Sequence, residues 1–214
     1  MSQPAMTFPQ RRKGERLADL CVLGGGLAFG LVAAVVLVAA ALGQGEPRII
    51  IAAGLYVVGL LAMLGCSLLY RGAIDARRRQ FFRRFDHAAI FAMIAGTATP
   101  FALAHGGIRG IALAAALWAV ATIGIVVKLR FPINGIRRSI IVYLLLGWAS
   151  LAALGPSVSH QTVVLIALGG AFYSVGVWFL LSRRLPYRLA IWHAFVLAGA
   201  TCHYLAIVTG IIRI

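Results

Sequence analysis

Continuous apolar runs separated by short, strongly basic connections are the main pattern along this chain. A helix needs about 20 apolar residues to cross the hydrocarbon core of a bilayer, with a range of roughly 17–25. Seven segments come close to that length: Leu17–Leu42, Ile49–Tyr70, His87–Ala104, Ile108–Val127, Ile140–Leu154, Val163–Leu181 and Leu189–Ile212. Apolar and polar residues do not alternate within them, so they predict helices and not barrel strands. The third and fifth are short and predict helices that stand upright or gain a turn at one end. The predicted fold class is all-α, a polytopic bundle of seven transmembrane helices.

Composition agrees. Hydrophobic residues make up 62% of the 214 and charged residues only 12%, with a mean hydropathy of +0.95. Soluble domains carry about a quarter charged residues, and disordered chains carry far less apolar surface. The formal net charge of +15 changes the picture once the cations are placed. Four precede the first run (Arg11, Arg12, Lys13, Arg16), and six join the second to the third (Arg71, Arg77, Arg78, Arg79, Arg83, Arg84). Four more join the fourth to the fifth (Lys128, Arg130, Arg137, Arg138), and three the sixth to the seventh (Arg183, Arg184, Arg188). The other side holds only Arg48, Arg109 and Arg213. The positive-inside rule therefore predicts a cytoplasmic N-terminus, and seven crossings put the C-terminus outside. Topology explains the arginine clusters, which lack the aromatic interleaving of a nucleic-acid surface. No nucleic-acid partner is expected; anionic lipid headgroups are.

Cys21, Cys66 and Cys202 lie inside apolar runs without a disulfide or metal spacing. The first apolar run is too long for a cleavable signal peptide, so residues 1–16 read as a cytoplasmic tail and 17–214 as one membrane domain. The connection Arg71–Asp86 mixes arginines with Phe81, Phe82 and Phe85 and predicts an amphipathic interfacial segment. Small residues such as Gly26-x-x-x-Gly30, Gly169 and Gly176 predict close helix packing. The expected location is the cell's inner or plasma membrane, as a multi-pass protein. Nothing in the sequence sets an oligomeric state.

Polar residues at membrane depth are the candidate functional groups. They include Asp19, Ser67, Arg71, Asp86, His87, Tyr143, Tyr173, His193 and His203. Each has a purely structural role open to it: Asp86 as the N-cap of the third helix, His203 as a neutral imidazole bonded to a neighbouring helix. Ser67 and Arg71 end the second helix, Asp86 opens the third, and Arg188 and His193 open the seventh. All five fall at one end of the bundle.

Several stretches resemble the hemolysin III family, within the superfamily of the progestin and adipoQ receptors. They are Phe85-Asp-His-Ala-Ala-Ile90, Ile94-Ala-Gly-Thr-Ala-Thr-Pro-Phe101, Tyr143-Leu-Leu-Leu-Gly-Trp148, Gly169-Gly-Ala-Phe-Tyr-Ser-Val-Gly176 and Ala190-Ile-Trp-His193 with His203 beyond it. The resemblance runs from about residue 15 to the C-terminus. It implies seven helices, a cytoplasmic N-terminus and a zinc site at the cytoplasmic end. The implied ligand pattern is Ser-x-x-x-His ending helix two, Asp opening helix three and His-x-x-x-His opening helix seven. Ceramidase-like amide hydrolysis is linked to that site.

Here Ser67, Asp86 and His193 match the pattern, but Arg71 and Leu189 stand where it has two of its three histidines. Asp86 and His193 are the residual metal positions, with Ser67, Arg71 and His203 as the surrounding polar network. A permanent cation beside them disfavours a metal, so no cofactor is expected, zinc being the one that the family pattern names. Two placements satisfy Arg71: an ion pair with Asp86, or extension to the membrane surface. His203 is ten residues from His193, about 15 Å along a helix, too far to share an ion. The expected function is a hemolysin III type membrane protein with a degenerate hydrolase-like site, acting through membrane lipid. The alternatives are a zinc-dependent lipid amide hydrolase with substituted ligands and a small transporter or channel.

Overall fold

A computed structural model describes residues 13–131, 136–151, 158–182 and 184–212, apart from the side chains of 136, 137 and 151. Residues 1–12 of the expected tail, 152–154 of the fifth expected span, Arg183, Arg213 and the Arg137 side chain lie outside the described residues. Among those described, the chain forms seven α-helices. These are α1 (Lys13–Gln44), α2 (Pro47–Gly72), α3 (Ala76–Ala104), α4 (Gly107–Arg130), α5 (Ile136–Leu151), α6 (His160–Leu181) and α7 (Arg188–Ile207). A π-helical turn, Val208–Ile212, continues α7. Six of the helices are long and apolar enough to cross a membrane, while α5 has only 16 residues.

Every helix starts before its apolar run, α1 and α5 by four residues and α3 by eleven. The helix α1 begins at Lys13, four residues before the apolar run, with Glu15 in its first turn, where a negative charge suits the helix dipole. The helix α3 begins at Ala76, capped by Asp75, whose side chain accepts from the Arg78 amide at 2.7 Å. The arginine–phenylalanine run is thus part of the third helix and not a separate interfacial segment. No glycine or proline interrupts residues 76–86, so nothing stops a helix that Asp75 starts. Asp86 consequently lies ten residues past the start of α3. It is not an N-cap, and its carboxylate is available for another bond.

Helix α2 packs along α3, α6 along α7, and α7 returns to α1. The helix α4 leans on α3, and α5 sits between α3 and α6. Backbones meet closely where side chains are missing. A Cβ on Gly59 would lie 2.8 Å from the Ala92 carbonyl oxygen of α3, and one on Gly96 2.7 Å from that of Leu55 on α2. Large apolar residues such as Val32, Val35, Ile123 and Leu145 point outward, the arrangement suited to a lipid solvent.

The reciprocal glycine contact is testable by thermal or detergent unfolding. Gly59→Ala and Gly96→Ala should each destabilise by about 1–3 kcal/mol through overpacking. Gly54→Ala and Gly65→Ala, with open space around the added Cβ, should stay within about 0.5 kcal/mol of the parent.

Candidate functional site

The last turns of α2 carry Ser67 and Arg71, one above the other at i and i+4. The adjoining part of α3 carries Asp86 and His87, and the start of α7 carries Arg188, Leu189 and His193. The fold brings all of these to the arginine-rich end of the bundle, around one cavity. Asp19, in the second turn of α1, joins them through its side-chain partners.

Asp19 is 1% exposed. One carboxylate oxygen lies 2.5 Å from His193 Nδ1, and the other lies 3.6 Å from Arg71 Nε. A carboxylate accepts, so His193 donates through Nδ1–H. The ion pair expected between Arg71 and Asp86 is therefore formed with Asp19, on a different helix. Asp86 accepts a hydrogen bond from the Ser67 hydroxyl. The Arg71 side chain is only 18% exposed, so it does not extend into solvent; its guanidinium also lies 4.7 Å from the centre of the Tyr70 ring, a favourable cation–π distance.

These groups border a cavity of about 670 Å³ between α2, α3, α5, α6 and α7. Ser67, Arg71, Asp86, His87 and His193 line its basic end, and Phe101 and His203 line its deeper part. Tyr143 of α5 donates to the His87 carbonyl at 2.9 Å. His203 places Nε2 3.2 Å from the Ile166 carbonyl and its ring edge-on to Tyr173. Its surroundings are those of a neutral imidazole tying α7 to α6. Three buried polar atoms beside the cavity, Arg71 Nε, His87 Nδ1 and the Tyr173 hydroxyl, have no hydrogen-bond partner among the described residues.

The donor set does not fit zinc, which takes four N, O or S ligands at short range. At the pattern's positions only one imidazole, that of His193, and one carboxylate, that of Asp86 bonded by Ser67, face this end of the cavity, and a guanidinium stands beside Asp19. Leu189, buried in the same cavity wall, offers no donor at the other substituted position. Among the described residues no three His, Cys, Asp or Glu side chains gather closely enough to hold an ion.

Sequence reasoning singled out Ser67, Arg71, Asp86 and His193 and gave Asp19 no partner. The available signal was an aspartate near the start of an otherwise apolar run. Its partners lie on helices remote in the chain, 174 residues away for His193, and helix rotation decides the match. His87 and Tyr173 became notable only through their unpartnered atoms.

The family model described as "Haemolysin-III related" matches residues 22–204. The chain is 32% identical over 204 residues to the Hemolysin-3 homolog of Bacillus subtilis (strain 168), covering 94% of this chain and 96% of that protein. It is also 32% identical over 197 residues to Hemolysin-3 of Bacillus cereus, covering 90% of each.

The Ser67–Asp86 bond yields a direct test. Ser67→Ala leaves a part-buried carboxylate without this donor and should cost about 1–3 kcal/mol in unfolding free energy. Ser182→Ala, which removes an exposed bond to the Trp178 carbonyl, should change it by less than about 0.5 kcal/mol.

Proposed function

The chain belongs to the haemolysin III family of multi-pass membrane proteins, and we propose that it acts through membrane lipid, around an ion-pair centre in place of a metal centre. The observation that carries this reading is Arg71. It stands where the family pattern has a histidine, and its guanidinium faces the buried Asp19 carboxylate at 3.6 Å. A fixed cation so placed compensates the carboxylate and repels a second cation.

In this reading the basic end is cytoplasmic, residues 1–16 form a tail there, and 17–214 form the membrane domain. Arg71 and His193 hold Asp19, while Ser67 orients Asp86. The apolar side chains deeper in the cavity keep its interior suited to hydrocarbon. Arg77 and Arg78 on the extension of α3, with the exposed Phe81, supply the interfacial contact with anionic headgroups. The Asp86 and His193 positions keep their geometry without a Lewis acid to serve.

Metal analysis of the protein purified in detergent should find far less than one zinc per chain; near-stoichiometric zinc would overturn the proposal. Arg71→His combined with Leu189→His restores two imidazoles and should raise zinc uptake toward one per chain. A folded double variant that takes up no zinc would show that these two positions do not decide the matter.

A further inference from the structure

Three polar side chains stand deep in the cavity, remote from the Asp19 network: Thr97 of α3, Tyr173 of α6 and His203 of α7. Thr97 lies eleven residues past Asp86, and His203 ten past His193. Both are therefore about 15–17 Å along their helices from the basic end. Their neighbours in this part of the wall, Ala98, Phe101 and Ile166, are apolar. The charged residues of the wall, Arg71, Arg83, Asp86 and Arg188, all belong to the basic end.

Glycine fits both rings into place. A Cβ on Gly169 of α6 would collide with the His203 imidazole. One on Gly199 of α7 would lie 3.0 Å from Tyr173 Cζ, the carbon that bears the hydroxyl. Each helix thus makes room for the other's polar ring, and the two rings meet edge-on with centroids 5.5 Å apart. His203 donates through Nε2–H to the Ile166 carbonyl at 3.2 Å, so Nδ1 of the neutral ring is an acceptor. The Tyr173 hydroxyl is buried and has no hydrogen-bond partner among the described residues. Buried polar groups normally have one, and phenylalanine would fill the same niche without the cost of a stranded hydroxyl.

We propose that Tyr173, with Thr97 and His203 beside it, is a neutral polar subsite that selects an oxygenated lipid chain. The selected group is a hydroxyl or carbonyl oxygen borne far along an otherwise apolar chain. Tyr173 donates to that oxygen, and a hydroxyl finds its own acceptor in His203 Nδ1 or the Thr97 hydroxyl. A charged group is disfavoured, because no opposite charge stands in this part of the wall to offset its desolvation. A plain methylene in the same place leaves the Tyr173 hydroxyl stranded, which is how a hydrogen-bonding site rejects an analogue that lacks the group. The inference rests on the lipid function proposed above and adds a determinant of which chain is taken.

Competition between chains of equal length tests the subsite. The full-length protein in nonionic detergent is equilibrated with equimolar pairs, 12-hydroxystearate with stearate and 2-hydroxystearate with stearate, and the bound lipid is weighed by native mass spectrometry. The protein should carry the 12-hydroxy chain in about fivefold or greater excess over stearate, and the 2-hydroxy chain in no more than about twofold excess. Tyr173→Phe keeps the ring and removes the hydroxyl, and should bring the first ratio within about twofold of unity, with the melting temperature as a folding control. A ratio near unity for the 12-hydroxy chain in the parent protein would overturn the proposal, whether or not the variant folds. So would an excess that survives Tyr173→Phe, an equal excess of the 2-hydroxy chain, or the binding of none of the three. Stearate bound without any preference for the hydroxyl removes the subsite and leaves the lipid function standing. The zinc measurement is independent: a zinc-bearing protein that still selects the 12-hydroxy chain sinks the ion-pair reading alone.

Discussion

A carboxylate enclosed in a helical membrane bundle must be matched by positive or hydrogen-bonding groups, because its desolvation costs several kcal/mol. Asp19 meets that requirement with His193 from α7 at 2.5 Å and Arg71 from α2 at 3.6 Å. The first helix is thereby joined to the second and the last at one level. That junction places His193 and Arg71 in the cavity wall. Asp86 is bonded instead by Ser67, one turn before Arg71 on α2. The geometry of the basic end follows from where this buried charge finds its partners.

The rest of the bundle relies on close packing, since lipid offers no hydrophobic drive for helix association. Two pairs interlock through glycine: α2 with α3 at Gly59 and Gly96, and α6 with α7 at Gly169 and Gly199. The cavity lies between these pairs, with α5 completing its wall. Rigid pairs on either side and an ion-pair lock at one end make a stable frame around an open interior. Within that frame the bonds from Asp19 join α1 to α2 and α7.

Much of this was legible in the sequence. Apolar run length gave the all-α membrane bundle and its seven helices, and the polar residues near the helix ends marked Ser67, Arg71, Asp86 and His193 as one cluster. Helix starts were harder, because a span is recognised by hydropathy whereas a helix continues wherever nothing stops it. The extension of α3 back to Ala76 is the clearest case, and it changed the role of Asp86 from cap to hydrogen-bond acceptor. The pairing within the cluster was not legible. Whether Arg71 meets Asp19 or Asp86 depends on how α1 and α3 are rotated about α2, and single-helix periodicity does not contain that information. The cavity was equally hidden, since its walls come from five helices whose small and large residues look alike in sequence.

The coupling between Asp19 and Arg71 tests the account most directly. In a double-mutant cycle of Asp19→Asn, Arg71→Gln and both together, unfolding free energy is measured in one detergent. If the pair organises the basic end, each single variant removes one side of the contact, and the double variant is less destabilised than the sum of the singles by about 0.5–3 kcal/mol. Strict additivity of the two substitutions would contradict the account, because it would mean that the charge buried on α1 and Arg71 do not depend on each other.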